Sequence, residues 1–424
     1  MRNSSVFQRG FGLARAVVED VGFDDLAEVV VVSARPVAKA RNRCGRCGRR
    51  APRYDRGGGR RQWRALDLGT TQVFIEADTT RVRCRAHGVV VAQVPWARHG
   101  AGHTRDFDDY TAWLAVHVSK AAVAALVRVA WSTVGAIVER VIADIDARVD
   151  RLEGLARVGI DEISYKRHHR YLTVVVDHDS GRLVWAAAGR DEATVEAFFA
   201  ALGPERTARL THVTADMAPW IARVVARRAP NAVLCADPFH IIVWVNEALD
   251  VERRRAWNNA SGRRHANPTS GRGDRSVGLA RSLKGARHAL RKKPENLTSR
   301  QHDQLAWVAA TDPRLWRAYQ LKEALRAVFR IKGAAGKTML DRWIQWARRC
   351  RIPAFVELQR RLTRHRAAID AALDSGLSNA LAESTNTKIR LLTRIAYGFR
   401  SPEPLIALAL LALGGHTPDL PGRK

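Results

Sequence analysis

The order of predicted strands and helices between residues 158 and 235 constrains the fold more than any other feature of this sequence. Runs rich in β-branched residues are separated by turn residues or by helical spacing of apolar residues. The predicted elements are, in order, strands at 158–160, 171–176 and 182–188, a helix at about 192–202, a strand at 210–214, a helix that begins at Pro219 and a strand at 231–235. The segment therefore has the order β-β-β-α-β-α-β.

That order is typical of the ribonuclease H-like fold, in which the first and fourth strands lie side by side. Asp161 follows the first predicted strand and Asp216 follows the fourth, so we expect these two carboxylates to meet at one edge of the sheet. An aspartate after a strand is also a common turn or cap residue, and this alternative applies above all to Asp216. Asp237 ends the fifth strand and is an alternative second acid. His240 either supports these carboxylates or is a buried histidine capped by Asp237.

A third carboxylate, Glu383, lies in a predicted helix at 377–390. The residues that share its helical face are spaced three or four apart, and they are Asn379, Glu383, Asn386, Arg390 and Arg394. One acid among amides and arginines suits a carboxylate that binds metal while its neighbours hold phosphates. Lys388, on the same helix, is a candidate DNA contact.

Two short cysteine and histidine pairs predict a zinc site in the first quarter of the chain. Each pair has the spacing C-x2-C or C-x2-H, and the four residues are Cys44, Cys47, Cys84 and His87. Such a set suits tetrahedral, structural zinc, whereas the alternative is a group of scattered free thiols. Gly45 and Gly48 favour a tight turn at the first pair, because glycine adopts positive φ without strain.

The net charge of +29, from 71 Lys and Arg against 42 Asp and Glu, indicates a polyanionic partner. Double-stranded DNA is the partner we expect, although a genome that favours arginine codons would also raise the charge. The arginines around the cysteine pairs are candidate contacts to the DNA backbone, and they include Arg46, Arg49, Arg50, Arg60 and Arg61.

Residues 101–152 predict three helices with possible side-chain caps at Thr104, Ser119 and Ser132. Two helices, a turn at 128–131 and a third helix are typical of a helix-turn-helix, and a plain helical linker is the alternative. The third helix would then enter the DNA groove with Ser132, Thr133, Ala136 and Arg140.

The chain is predicted to have a lead segment at 1–40, a zinc-finger domain at 41–100, a helix-turn-helix domain at 101–152 and a large domain at 155–415 with a helical insertion at about 243–376. Within the insertion, the basic stretch 252–300 predicts a mobile DNA-contacting arm or an unstructured charged loop. No apolar run reaches the roughly 18 residues of a membrane span, and no signal peptide is recognisable. We therefore expect a cytoplasmic protein that does not associate with membranes.

The sequence resembles the ISL-three family of bacterial insertion-sequence transposases, which is related to the Mutator-like group. The resemblance covers nearly the whole chain, and the motifs that carry it lie at 159–162, 214–217, 236–240, 379–386 and 388–400. It implies that Asp161, Asp216 and Glu383 hold the metal-binding positions of a DDE enzyme, with Asp237 and His240 as a D-x2-H pair. The sequence departs from the family at His87, where an all-cysteine set is usual, and at Ser384, where glycine is frequent.

The resemblance also implies a bacterial protein associated with the nucleoid, and it implies an activity and its partners. Such an enzyme binds the terminal inverted repeats of its element, cuts the strand and transfers it to target DNA with two Mg²⁺ or Mn²⁺ ions. Arg390 and Arg394 are candidates to neutralise the reacting phosphate, and one structural zinc would hold the finger. Two DNA ends must come together, so a dimer or a larger assembly is expected. The alternatives are an inactive, transposase-derived DNA-binding regulator and a structure-specific nuclease of the same fold.

Overall fold

The computed structural model describes residues 8–266 and 281–423. The chain forms two compact units, one from Met1–Arg151 with Ile389–Lys424 and the other from Leu152–Lys388. Among the described residues, no single helix has the length and apolarity needed to cross a membrane. One bent helix pair, Lys120–Val127 with Trp131–Asp146, meets that test by length and composition alone.

The first unit contains a five-stranded sheet. Its strands are β1 (Ala16–Asp24), β2 (Val29–Pro36), β3 (Arg53–Leu68), β4 (Thr71–Cys84) and β5 (Gly88–Val91). The order is β1-β2-β4-β3, and β5 pairs with β4. Trp63 and Ile75 lie in the core beneath the sheet, where Trp63 contacts Trp96 edge to face. The strands of the lead segment thus belong to the same sheet as those that follow the first cysteine pair.

Three helices follow this sheet in the first unit, and they are α1 (Arg105–His117), α2 (Lys120–Val127) and α3 (Trp131–Asp146). Thr104 caps α1 by accepting from the Phe107 amide at 3.3 Å, and Ser119 caps α2 by accepting from the Ala122 amide at 3.2 Å, as predicted. The predicted cap at Ser132 is wrong. The helix begins at Trp131 because Ala130 is the last extended residue, so Ser132 lies in the first turn.

The second unit is built on another five-stranded sheet. Its strands are β6 (Arg157–Lys166), β7 (Arg170–Asp177), β8 (Leu183–Ala188), β9 (His212–Ala215) and β10 (Val233–Ala236). The order is β10-β9-β6-β7-β8, with an antiparallel meander at β6-β7-β8 and parallel pairing of β9 and β10. The helices α4 (Glu192–Leu202) and α5 (Pro204–Thr207) lie between β8 and β9, and α6 (Pro219–Arg228) lies between β9 and β10. Phe198 and Val224 on α4 and α6 pack with Ile160 and Val213 of the sheet.

A run of helices separates β10 from the last part of this unit, and a separate apolar core holds them together. These helices are α7 (Pro238–Ala266), α8 (Arg287–Arg291), α9 (Ser299–Thr311), α10 (Pro313–Val328), α11 (Gly333–Arg349), α12 (Pro353–Arg364) and α13 (Arg366–Ser375). Residues 267–280 of the predicted arm lie outside the described residues. The described part of the arm before them is helical, and buried Glu252 pairs there with Arg255 at 2.7 Å and with Arg314 at 3.0 Å.

The last two helices are α14 (Ala380–Ile395) and α15 (Glu403–Leu413). The helix predicted at 377–390 thus begins three residues later and ends five residues later than expected. Residues of α14 through Lys388 belong to the second unit. Within the first unit, α15 packs against α1 and α3.

Candidate active site and zinc site

Three aspartates lie side by side at one edge of the second sheet. The parallel pairing of β6 with β9 ends at Gly159 and Thr214, and Asp161 and Asp216 each come two residues later. Asp237 comes one residue after β10 ends beside β9. Because neighbouring parallel strands end together, their carboxylates share this edge. Burial raises the pKa of Asp161, and the nearby Asp237 and Asp216 carboxylates raise it further.

The first strand does not end at Asp161, contrary to the sequence prediction. It continues to Lys166, because β7 still pairs with it after β9 has ended. Asp161 therefore lies inside a strand but beyond its parallel neighbour, where its carboxylate is half-buried.

Two buried asparagines on either side of Glu383 connect its segment to Asp161. The Asn379 side chain donates to the Ile160 carbonyl at 3.2 Å. The Asn386 side chain donates to Asp161 Oδ2 at 2.8 Å. Glu383 lies between them on α14 and is half-buried, and its amide donates to the Asn379 carbonyl at 2.9 Å. The backbone of Glu383 is thus held at the edge of the sheet that bears the aspartates.

The environments of Asp216 and Asp237 differ. Asp237 is buried, and its Oδ1 accepts from the amides of Phe239 at 3.2 Å and Asn379 at 3.3 Å, while its Oδ2 lies 2.9 Å from His240 Nδ1. Asp216 is half-buried and lies 3.6 Å from His240 Nε2. The hydrogen bond to Asp237 raises the pKa of His240, and the charge of Asp216 adds to this shift. Asp216 therefore has more capacity for a metal ion than Asp237, whose two oxygens already have partners.

These donors fit a divalent cation. Burial raises the pKa of Asp161, and the neighbouring Asp237 and Asp216 carboxylates add to that shift; a bound cation would offset both effects. Among the described side chains, the Asn386 Oδ1 is buried and accepts no hydrogen bond. Carboxylate and amide oxygens are hard ligands of the kind that Mg²⁺ and Mn²⁺ take.

The sequence did not predict a chain of hydrogen bonds between polar side chains beneath this edge of the sheet. His178 Nε2 lies 2.8 Å from Thr214 Oγ1, which donates to Asn379 Oδ1 at 3.0 Å. A Cβ atom at Gly159 would lie 3.1 Å from both His178 Nε2 and Thr214 Oγ1, so a larger residue there would push this chain aside. His178 is in a sequence typical of a turn, which gave no sign of its contact with the fourth strand.

The four predicted zinc ligands converge in the first unit. Their ligand atoms all lie within 4.8 Å of one another. The Sγ atoms of Cys47 and Cys84 are 3.8 Å apart, and the His87 Nδ1 lies 3.6 Å from the Sγ atoms of both Cys44 and Cys84. Tetrahedral zinc with bonds of about 2.3 Å to sulfur places two sulfurs about 3.8 Å apart. The donor set therefore fits a closed, structural zinc site.

Gly45 and Gly48 have different roles in the turn around Cys44 and Cys47, which we call the zinc knuckle. Gly48 has a φ of +68°, as expected for the turn. Gly45 does not have positive φ and is needed for space, because a Cβ there would lie 2.3 Å from His99 Nδ1 and 2.6 Å from the Val91 carbonyl. His99 therefore packs directly on the knuckle.

The residues predicted to contact DNA differ in their solvent exposure and in their contacts within the protein. The exposed ones are Arg46, Arg49, Arg50, Arg60, Ser132 and Lys388, and the half-buried ones are Arg61, Thr133 and Arg140. Arg60 pairs with Glu76 at 2.6 Å, and Arg61 donates to the Ala101 carbonyl at 2.7 Å. Arg390 and Arg394 are exposed on the later turns of α14.

Arg140 takes part in a buried ion-pair network of the first unit. Its guanidinium donates to both carboxylate oxygens of Asp108 at 3.0 Å, and Arg98 lies 3.5 Å from the same carboxylate. Asp108 is fully buried; burial raises its pKa to about 6, while Arg140 and Arg98 oppose that shift.

Replacing Asp108 by alanine is expected to lower the free energy of unfolding by about 3 kcal/mol, because Arg140 would lose its buried carboxylate partner and Arg98 one of its three. Chemical denaturation of the full chain measures this loss. The matched control Asp78→Ala, at an exposed position, should change stability by less than about 0.5 kcal/mol. An equally small effect at Asp108 would show that the network does not hold the helices.

Comparison with known proteins agrees with this arrangement. A family model described as a transposase matches residues 158–409. A model described as the helix-turn-helix domain of transposase family ISL3 matches 92–142, and one described as the zinc-finger of transposase IS204/IS1001/IS1096/IS1165 matches 40–87. A zinc finger, a helix-turn-helix and a transposase domain in one chain define the class of insertion-sequence transposases.

Two relatives show how closely the chain follows this class. It is 62% identical over 436 residues to the transposase for insertion sequence element IS1557 of Mycobacterium tuberculosis. The matched region covers 100% of this chain and 98% of the relative. It is 24% identical over 398 residues to the transposase for insertion sequence element IS1001 of Bordetella parapertussis, with 93% of each chain covered. The chain belongs to the ISL3 family of insertion-sequence transposases, which confirms the resemblance seen in the sequence.

Proposed function

We propose that this chain cuts DNA at the terminal inverted repeats of its element and joins the freed 3′ end to target DNA, using Asp161, Asp216 and Glu383. The observation that carries the proposal is that Asp161 and Asp216, each two residues beyond the parallel pairing of their strands, lie beside the asparagine-anchored segment that bears Glu383. The sheet order, with an antiparallel meander followed by two parallel strands, supports assignment of this domain to the ribonuclease H-like fold.

The three acids are the proposed ligands of two Mg²⁺ or Mn²⁺ ions. Bound there, the metal supplies activation of the attacking oxygen and stabilisation of the leaving oxygen in an in-line displacement. The protein contributes the positions of the acids. Asn386 fixes the orientation of the Asp161 carboxylate, and Asp237 fixes His240 beside Asp216.

Asp216 is the proposed second acid, and Asp237 is a positioning residue. The buried Asp237 carboxylate already has amide and imidazole partners on both oxygens, whereas the half-buried Asp216 has only the longer contact with His240 among the described residues. His240, with its raised pKa, is suited to hold a proton or a phosphate oxygen next to Asp216.

We propose that the first unit binds and recognises the DNA ends. The exposed arginines of the zinc knuckle, Arg46, Arg49 and Arg50, would contact phosphates, and the start of α3 would contact bases through Ser132 and Thr133. Arg140 has a mainly structural role in this proposal, because Asp108 occupies its guanidinium. Two ends must be joined, so we propose that a dimer or larger assembly forms on DNA.

Cleavage of the element's own ends tests this function. The purified full chain is incubated with labelled duplex DNA that carries the flanks of its gene, with Mg²⁺, with Mn²⁺ or with EDTA. Nicking at the border of an inverted repeat, with Mg²⁺ or Mn²⁺ and not with EDTA, is the expected result. Tight binding there without cleavage would instead indicate an inactive DNA-binding regulator, and cleavage set by DNA structure alone would indicate a nuclease.

Replacing Asn386 by alanine is expected to lower the cleavage rate by about 10- to 100-fold, because groups that orient a metal ligand typically contribute that much. Binding to the DNA end should remain within about twofold of the native protein. The rate is measured at saturating Mg²⁺, alongside Ser384→Ala at an exposed position of the same helix. If both variants cleave at the native rate, Asn386 does not position Asp161 for catalysis.

A further inference from the structure

Arg361, on the insertion helix α12, is held by an aromatic ring and not by a carboxylate. The carbon of its guanidinium lies 3.3 Å from the centre of the Trp244 ring. Its neighbours on the helix, Arg360 and Arg364, both pair with Glu357, at 3.5 Å and 3.3 Å. Within the described ranges of the chain, no carboxylate lies within ion-pair distance of Arg361. Its hydrogen-bond donors are therefore available to another anion.

Trp244 places this guanidinium close to the candidate active site. Trp244 follows His240 by four residues on α7, so the two side chains lie about 6 Å apart on one helix face. His240 Nε2 is in turn 3.6 Å from Asp216 Oδ2. Trp244 is buried, and its ring lies 5.9 Å from the ring of His365, which limits its movement. Arg361 thus stacks on a residue that lies one helical turn from the histidine that contacts Asp216, and its charge interacts with that of Asp216.

Charges of both signs act on the Arg361 guanidinium. Burial lowers the pKa of Arg361, and Arg364 lowers it further, whereas Glu247 and Asp216 oppose the shift. Arg361 is exposed, so an anion from solvent can reach its guanidinium without displacing a carboxylate. The planar group can donate two parallel hydrogen bonds to a phosphate.

We propose that Arg361, positioned by Trp244, binds a backbone phosphate of the DNA strand that enters the site formed by Asp161 and Asp216. This inference rests on the proposed function and names a contact that the insertion supplies to it. Arg361 was not a candidate on sequence grounds, because it is one of several arginines in a helix of ordinary amphipathic pattern.

Neutralising single phosphates tests the contact. Duplexes carrying the element's end are prepared with one methylphosphonate at each position near the cleavage border, and their affinity is measured in Ca²⁺ for the native full chain, Arg361→Ala, Arg361→Lys and Arg360→Ala. At one position we expect the native protein to lose about tenfold in affinity, as for a charge-assisted hydrogen bond. Arg361→Ala should already lack this affinity and lose nothing further at that position. Its slope of log affinity against log salt should fall by about 0.9.

Arg360→Ala is the matched control on the same helix and should behave as the native protein does. Arg361→Lys keeps the charge, and it should bind more tightly than Arg361→Ala but less tightly than the native protein. Thermal unfolding of each variant checks that it is folded. If Arg361→Ala does not fold, the comparison is made with Arg361→Lys. Equal losses for native protein and Arg361→Ala at every methylphosphonate would overturn the phosphate contact. Failure of the native protein to cleave these ends in Mg²⁺ would instead overturn the proposed function, and this inference with it.

Discussion

Replacement of Glu383 by glutamine is expected to lower the rate of strand cleavage by about a thousandfold or more. The change keeps the size of the side chain but removes the negative charge that a divalent cation needs. Metal stabilisation of the transition state is worth several kcal/mol, and each 1.36 kcal/mol is about tenfold in rate. Affinity for the DNA end should change little, since Glu383 does not belong to the unit proposed to recognise that end.

The measurement is single-turnover cleavage of the labelled end in Mg²⁺, paired with affinity for the same end in Ca²⁺. Glu205→Gln is the matched control, because it makes the same change at an exposed position of the same unit. A Glu383→Gln protein that cuts at the native rate would falsify the assignment of the third acid. Loss of affinity and cleavage together, with normal unfolding, would place Glu383 in DNA binding and not in catalysis.

Much of the second sheet could be predicted, because its elements have strong local patterns. The turn at Gly181 and the apolar spacing of 192–202 gave the strand order and the helix with small errors at their ends. The extension of β6 through Lys166 could not be predicted, since it depends on pairing with β7 after β9 has ended. Local pattern reports that a strand exists, whereas its length depends on its partners.

Side-chain contacts in the candidate active site likewise depend on partners that the local sequence pattern does not reveal. Helical spacing predicted that Asn379, Glu383 and Asn386 share a face, but it could not show that both amides contact the first strand. Arg140 was predicted to face DNA because it lies on the same helix as Ser132. The structure pairs it with Asp108, which lies 32 residues earlier in the sequence. A spacing rule within one helix carries no information about a partner on another.

Residues 252–266, in an insertion predicted to be helical, show how tertiary contacts act on a segment of high charge. Its basic excess predicted an arm or an unstructured loop. Burial of Glu252, with Arg314 reaching it from 62 residues away, instead stabilises the helix there and joins it to the insertion core. The sequence contained both residues but no sign that they meet.

Replacing Cys44 and Cys47 together by serine is expected to remove zinc from the protein, from about one ion per chain to none. Serine is a poor zinc ligand, and the two remaining ligands, Cys84 and His87, cannot close a tetrahedral site. Zinc binding contributes of the order of 10 kcal/mol to the folding of small zinc domains. The knuckle that carries Arg46 and Arg49 should therefore lose its structure, and affinity for the DNA end should fall by at least about tenfold.

Zinc content is measured by elemental analysis of the purified chain, and end affinity is measured on the same preparation. The control is Cys235→Ser with Cys350→Ser, because these two buried cysteines lie outside the cluster. The control should keep its zinc and its affinity. Full zinc content in the Cys44 and Cys47 variant would rule out the four-ligand site, whereas zinc loss with native affinity would mean that the first unit reads the DNA end without its knuckle. The double variant thereby separates a finger that contacts DNA from one that only holds the sheet together.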